Sequence, residues 1–171
     1  LSLAMKGVGQ IDIIDPDKTD ATNMNRQIML YDSIGRYKAM TLSNRIKQVN
    51  PSIKSEYHNG MFHKNLMLNK KYSAVFGCVD KNEARLSISN AALEQKIPYI
   101  DAGTADFDGS LYTYVPGYSP CIKCQKDLEH RISQMQINTR TGCAQATPSV
   151  IMPNLIMGSL MAEKYFTLLL C

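Results

Sequence analysis

The chain has no tryptophan, no cluster of basic residues along one face, and no apolar run free of charge and proline that is long enough to cross a bilayer. Each gap removes a class of function. Lys and Arg outnumber Asp and Glu by only 19 to 15, and the basic residues are scattered and not interleaved with aromatics, so a nucleic-acid interface has little support. The most apolar segment, 150–171, contains Pro153, Asn154, Glu163 and Lys164, and reads as a buried helix and not a membrane span. No basic stretch followed by an apolar core and a small-residue cleavage site opens the chain, so a cytoplasmic protein is expected. His58, His63 and His130 lack partners at metal-ligand spacing and read as surface groups. The cysteines, Cys78, Cys121, Cys124, Cys143 and Cys171, are odd in number. Without an export signal they do not suggest a cystine framework; metal binding or thiol chemistry suits them better.

A further absence concerns phosphate. Open nucleotide-binding sheets normally begin with a strand and a glycine-rich turn at a helix N-terminus, where backbone N–H groups meet phosphate oxygens. Here Gly7-x-Gly9 comes before a strand and not after one, so it reads as the turn into that strand. The expectation is a chain cut at its front, with the first strand and glycine loop missing, and cut at its far end as well.

What is present alternates between strand and helix. With 171 residues, 44% of them apolar, the chain is long enough to bury one core, and 1–171 is expected to fold as a single domain. Residues 11–15 read as a short buried strand, 33–49 as an amphipathic helix ended by Asn50-Pro51, and 53–57 as a strand. The continuous apolar run 72–79 suits a central parallel strand. Residues 81–96 are helical, with Ala84, Ile88, Ala91 and Ala92 near one face, and 99–102 form another strand. Residues 109–115 alternate as an antiparallel strand would; a polar loop then leads to the last helix. This rhythm predicts an α/β fold, a Rossmann-like open sheet, parallel in its first half and then antiparallel, with helices on both faces. Ligands of such sheets sit beyond the carboxyl ends of the strands, where Asp15, Asp80 and Asp101 fall.

The stretch DPDKTDATNMNRQIMLYDSIGRYK, Asp15 to Lys38, hangs acidic, amide and cationic groups off one such strand end. Carboxylates there suit ribose hydroxyls, and Arg26 and Lys38 suit phosphate oxygens. By itself the same stretch is equally a solvated turn, since Asp-Pro-Asp turns well and lone surface cations are common. The pair Cys121-x-x-Cys124 is half of a tetrahedral zinc site or a redox pair. Cys143, in Thr-Gly-Cys-Ala before the last helix, is the best candidate nucleophile, while Cys78 in its apolar run reads as a small core residue. The ten methionines read as core and interface fillers.

Six ordered blocks decide between these readings: GVGQIDIIDPD, NMNRQ, IGRYKA with VNPS, CVDKNEAR, IPYIDAGT and GYSPCIKC. Along the whole chain they resemble the adenylating domain of the ThiF, MoeB and HesA group of ubiquitin-activating-like enzymes. The Asn23 to Arg26 block, with Cys121 and Cys143, is most similar to single-chain activating enzymes of ubiquitin-fold modifiers and to stand-alone prokaryotic homologues. The resemblance implies ATP-dependent adenylation of the C-terminal carboxylate of a ubiquitin-like protein with a glycine tail. It places Asp15 on the ribose, Asn23, Gln27, Arg26 and Lys38 at the triphosphate, and Asp80 at magnesium. It also implies structural zinc on Cys121 and Cys124, a crossover-type loop over 121–148, thioester formation on Cys143, a tail channel near Asp101 and Gly103, and a homodimer. The alternatives are adenylation of another carboxylate, as on a ribosomal peptide or in cyclising a tRNA base, and a catalytically silent scaffold subunit.

Overall fold

The computed structural model describes residues 1–28, 31–67, 70–105, 108–126 and 150–170; Cys143, His130 and Cys171 lie outside them. A four-residue helix α1 (Ser2–Met5) leads into β1 (Gln10–Ile14). Helix α2 (Lys38–Val49) is the crossover to β2 (Lys54–His58), which pairs parallel with β1 in the register Gln10 to Lys54 through Ile14 to His58. A second crossover joins β3 (Val75–Gly77) through α3 (Asn82–Gln95) to β4 (Tyr99–Ala105), again parallel. β5 (Asp108–Tyr114) runs back antiparallel along the whole of β4. A short α4 (Ile122–Lys126) and the long α5 (Ile151–Leu170) complete the described elements.

The pleat of β4 sorts the core. Successive side chains of a strand point to opposite faces, so Tyr99 joins Ile88, Ala92 and Ile122 beneath α3. Ile100 joins Met161 and Tyr165 beneath α5. Helices therefore cover both faces, as the alternation predicts. A third apolar group, Ala4, Ile46 and Ile53 with Ile11, Ile13 and Leu42, holds α1 and α2 on β1 and β2. Pro153 sits in the first turn of α5, where the missing N–H leaves no helical bond broken.

Four expectations change. The helix over 33–49 begins only at Lys38: Ser33 closes a separate 3-10 turn, and Gly35, at φ +82°, breaks the helical path. The run 72–79 yields only a three-residue strand, and among the described residues β3 pairs with β4 alone, so it is an edge and not a central strand. Among the described residues no strand pair joins β1–β2 to β3–β4–β5, and side chains bridge the two. Tyr72 Oη and Lys70 Nζ both donate to Asp12 Oδ2, at 2.7 and 2.8 Å. Strand β1 is half-buried along 11–14 and not fully buried, with Ile11 and Ile13 on the apolar group and Asp12 on the other face under Lys70 and Tyr72. Lastly, Cys78 is exposed, because the chain has already left β3 at Gly77.

Candidate functional site

The turn after β1 is built by Asp15 itself. Its Oδ1 accepts from the N–H of Asp17 at 2.8 Å, the local bond that makes Asp a turn former. Asp17 then anchors the start of α2: its carbonyl accepts from Lys38 N at 2.9 Å and its Oδ2 from Lys38 Nζ at 3.1 Å. Two backbone bonds, Thr19 N to Arg36 O and Gly35 N to Thr19 O, both 2.8 Å, clamp the two ends of the intervening loop together. The Lys38 side chain is consequently 89% removed from solvent while its partner Asp17 stays exposed. A long flexible cation has been fixed in place beside Asp15.

Asp80, exposed at the other strand end, completes the cluster. Asp15 records both neighbours. Burial lifts its pKa above the ordinary carboxyl value, the Lys38 ammonium pulls it down, and the Asp17 and Asp80 carboxylates push it up. Burial prevails, so Asp15 is a carboxylate held in a place that disfavours its charge. Its folded pKa lies above the unfolded value, so the group weakens the fold as pH rises through that interval and goes on doing so above it. We expect Asp15→Asn, which keeps the turn-forming oxygen, to raise the melting temperature of the unliganded protein at neutral pH by roughly one or two degrees. The gain should vanish near about pH 3, where the native carboxyl is itself protonated. Thermal unfolding of both proteins at the two pH values measures this.

The segment 20–27 is folded by a reciprocal cap. Asp20 Oδ1 accepts from Thr22 N at 2.8 Å, and Asn23 Oδ1 accepts from Asp20 N at 3.1 Å, so the buried Asn23 has committed its oxygen to the loop. Hydrogen bonds from Thr22, and less so the Arg26 charge, hold the exposed Asp20 carboxyl below its usual value. Arg26 Nη1 donates to Thr22 O at 2.7 Å and to Asn25 Oδ1 at 3.4 Å; among the described residues its Nε and Nη2 donate to none. Gln27 Oε1 is buried without a hydrogen-bond partner among the described residues.

Two side chains that the sequence reading passed over organise these loops. Arg85, on α3, is buried and makes a 2.7 Å ion pair with the fully buried Asp101. Its Nε and Nη2 also donate to Val79 O at 3.1 and 2.7 Å, fixing the backbone immediately before Asp80. Tyr99 Oη donates to the other Asp101 oxygen at 3.0 Å. Burial first and the Asp101 charge second push the Tyr99 hydroxyl up, keeping it a proton donor. Gly77 permits this assembly, since a Cβ there would lie 2.5 Å from Asp101 Oδ1. Asn154, on α5, donates to Arg26 O at 2.6 Å. Asp101 is thus a structural anion beneath the site, and Gly103 is where a Cβ would come within 2.8 Å of the Arg85 guanidinium.

The thiols separate by environment. Cys78 presents surface to water although protein packs around its thiol. Crowding, with Asp101 second, pushes its pKa up to about 11. A thiol held neutral is a poor nucleophile. Burial pushes the Cys121 thiol up, but hydrogen bonds from Cys124 and Lys123 and the Lys123 charge outweigh it, leaving the pKa below the usual value. Its Sγ lies 3.7 Å from Cys124 Sγ. No group of three metal-ligating side chains occurs among the described residues. His58 and His63 are exposed.

An α/β fold whose parallel strands end in charged loops defines a class of ligand-binding domain. The particular family follows from comparison: the ThiF family profile matches residues 1–170, and the chain belongs to that family. It is 26% identical over 163 residues to ubiquitin-like modifier-activating enzyme 5 of Dictyostelium discoideum, covering 85% of this chain and 43% of that protein. It is 29% identical over 154 residues to adenylyltransferase and sulfurtransferase MOCS3-1 of Zea mays, covering 88% and 33%. The chain thus spans less than half the length of these curated relatives. Among solved structures, E. coli MccB with MccA-N7isoASN matches with a TM-score of 0.73 at 20% identity, over 96% of this chain and 54% of that one. SeMet PaaA matches at 0.68 and 17% identity, over 95% and 56%. At those identities the likeness establishes the fold. No helix among the described residues is long and apolar enough to cross a membrane.

Proposed function

We propose that this domain adenylates the C-terminal carboxylate of a ubiquitin-like protein at the expense of ATP. The observation that carries the reading is the convergence of Asp15, Lys38 and Asp80, from three separate elements, in one electrostatically coupled cluster. Asp15 binds the ribose and Lys38 and Arg26 face the triphosphate, while the buried Asn23, bonded to Asp20, and Gln27 shape the loop that carries Arg26 to it. The substrate carboxylate is already ionised and attacks the α-phosphorus. A carboxyl O–P bond forms, the bond to the bridging β-phosphate oxygen breaks, and pyrophosphate leaves. Negative charge grows on the phosphoryl oxygens, and fixed cations aimed there lower the barrier without having to reorganise. Arg26 has N–H donors uncommitted among the described residues for this task, and Lys38 is already immobilised.

The exposed Asp80 carboxylate, with the half-buried Asp15 nearby, is the hard oxygen donor set that magnesium prefers. When bound, the ion would neutralise charge on the leaving pyrophosphate. The two sulfurs 3.7 Å apart match the separation of about 3.8 Å that two thiolates adopt on one tetrahedral zinc. Cys121 and Cys124 would supply half of that structural site. The exposed apolar residues Leu155, Ile156 and Leu160 of α5 support a homodimer.

ATP–pyrophosphate exchange by the full-length protein tests the reading. Exchange that requires a ubiquitin-like protein ending in glycine supports it, stimulation by a short peptide or tRNA supports the alternative substrates, and no exchange with any of them supports the scaffold. The thioester stage is separable: Cys143→Ala should keep exchange and lose the reducible adduct on a non-reducing gel.

A further inference from the structure

Half of the segment 20–27 is exposed, Asn23 alone being buried, and its internal hydrogen bonds are local. Among the described residues, the hydrogen bond that reaches it from elsewhere in the chain comes from Asn154, 128 residues away, donating Nδ2 to the Arg26 carbonyl at 2.6 Å. The same amide accepts, through Oδ1, from the Thr104 hydroxyl of β4 at 2.6 Å. The orientation of the amide is fixed by chemistry. A backbone carbonyl only accepts, so the nitrogen must face Arg26 and the oxygen is left for Thr104. One half-buried side chain in the first turns of α5 therefore ties the loop bearing Arg26 to the end of β4.

We infer that Asn154 is a positioning residue: it sets the place of Arg26 against the triphosphate and so acts on phosphate affinity without touching nucleotide. This rests on the adenylation reading, and it separates two halves of the site. Asp15 and its turn owe nothing to Asn154, whereas Arg26 depends on it. Asn154→Asp is nearly isosteric and keeps the acceptor for Thr104, but it turns an oxygen towards the Arg26 carbonyl. A part-buried hydrogen bond is replaced by repulsion.

In pyrophosphate exchange by the full-length protein, Asn154→Asp should raise KM for ATP about tenfold, the size expected when a part-buried carbonyl loses its donor and meets an oxygen instead. The inhibition constant of adenosine, which has no phosphate, should not move. Asn154→Ser, too short to bridge, should show the same selective loss and serves if the aspartate variant does not fold. In an Arg26→Ala background, Asn154→Asp should add little, because the group it places is gone. An unchanged KM overturns the inference, as does equal weakening of ATP and adenosine, or a full additional loss in the Arg26→Ala background. If the unmutated protein binds ATP but exchanges no pyrophosphate, adenylation fails alone, and direct titration of ATP against adenosine still decides the role of Asn154. An unmutated protein that binds no ATP overturns both.

Discussion

Arg85→Ala should lower the unfolding free energy by about 3–5 kcal/mol, a large share of the roughly 5–15 kcal/mol that holds an ordinary domain together. The reason is not that the Arg85–Asp101 pair is itself strongly stabilising. Drawing two charges out of water costs nearly as much as their attraction returns. The loss comes from what is left behind. Asp101 has no exposed surface, and without Arg85 its charge would keep the Tyr99 hydroxyl but lose its countercharge. The Val79 and Ala102 carbonyls would lose their Arg85 donors as well. Urea unfolding of the variant beside the parent measures the difference, with the midpoint shifting and the slope holding. A loss below about 1 kcal/mol would mean that water reaches the orphaned carboxylate, contrary to its complete burial here. Asp101→Asn should also destabilise, by leaving the guanidinium buried without an anion. A joint replacement of both charges by apolar residues should cost much less than either single change.

Arg85 also shows where the sequence was legible and where it was not. Local signals placed β4, β5 and α3 to within a few residues, because alternation, the apolar face of Ile88, Ala91 and Ala92, and turn residues act over short spans. The early start expected for α2 failed for a local reason of a different kind. A periodic pattern counts apolar positions, but it does not see that Gly35 takes a left-handed φ and lets the chain fold back on Thr19. Arg85 was invisible to the same pattern, since a charge on a helix ordinarily marks the solvent face. Its partner lies sixteen residues on, in strand β4. The available hints were Asp101 on an otherwise apolar strand and an arginine one turn beyond Asp80. Asn154 likewise stood out as a polar residue in the most apolar segment, which argued against a membrane span without revealing its partner. Asp15 and Asp80 could be nominated because each follows a predicted strand, and Lys38 because it stands in the family-like block IGRYKA, although the helix it opens was expected to begin five residues earlier. That their charges meet depends on crossovers whose geometry the sequence does not spell out.

Arg26→Ala and Lys38→Ala should each reduce ATP–pyrophosphate exchange by at least about a hundredfold, the scale on which removal of one preorganised charge-stabilising group acts. Both proteins should remain folded. Lys38 pairs with an Asp17 that is 64% exposed, and such pairs contribute roughly 0–1 kcal/mol. The backbone bond from Lys38 N to Asp17 O, which secures the turn, survives the substitution. Arg26 gives up one hydrogen bond to the Thr22 carbonyl at an exposed site, worth about 1 kcal/mol at most once water replaces it. The gap between a small stability change and a large activity change is what marks these two cations as facing developing charge and not merely completing a turn. Circular dichroism and unfolding midpoints should therefore overlay the parent while exchange collapses. Lys38→Arg offers a sharper version of the test. It preserves the charge but replaces a compact ammonium, held beside Asp17 with 11% of its side chain exposed, by a broader planar group, so exchange should recover only in part. Normal exchange in both alanine variants would remove the phosphate role from this cluster and leave Asp15, Lys38 and Asp80 as a charged turn.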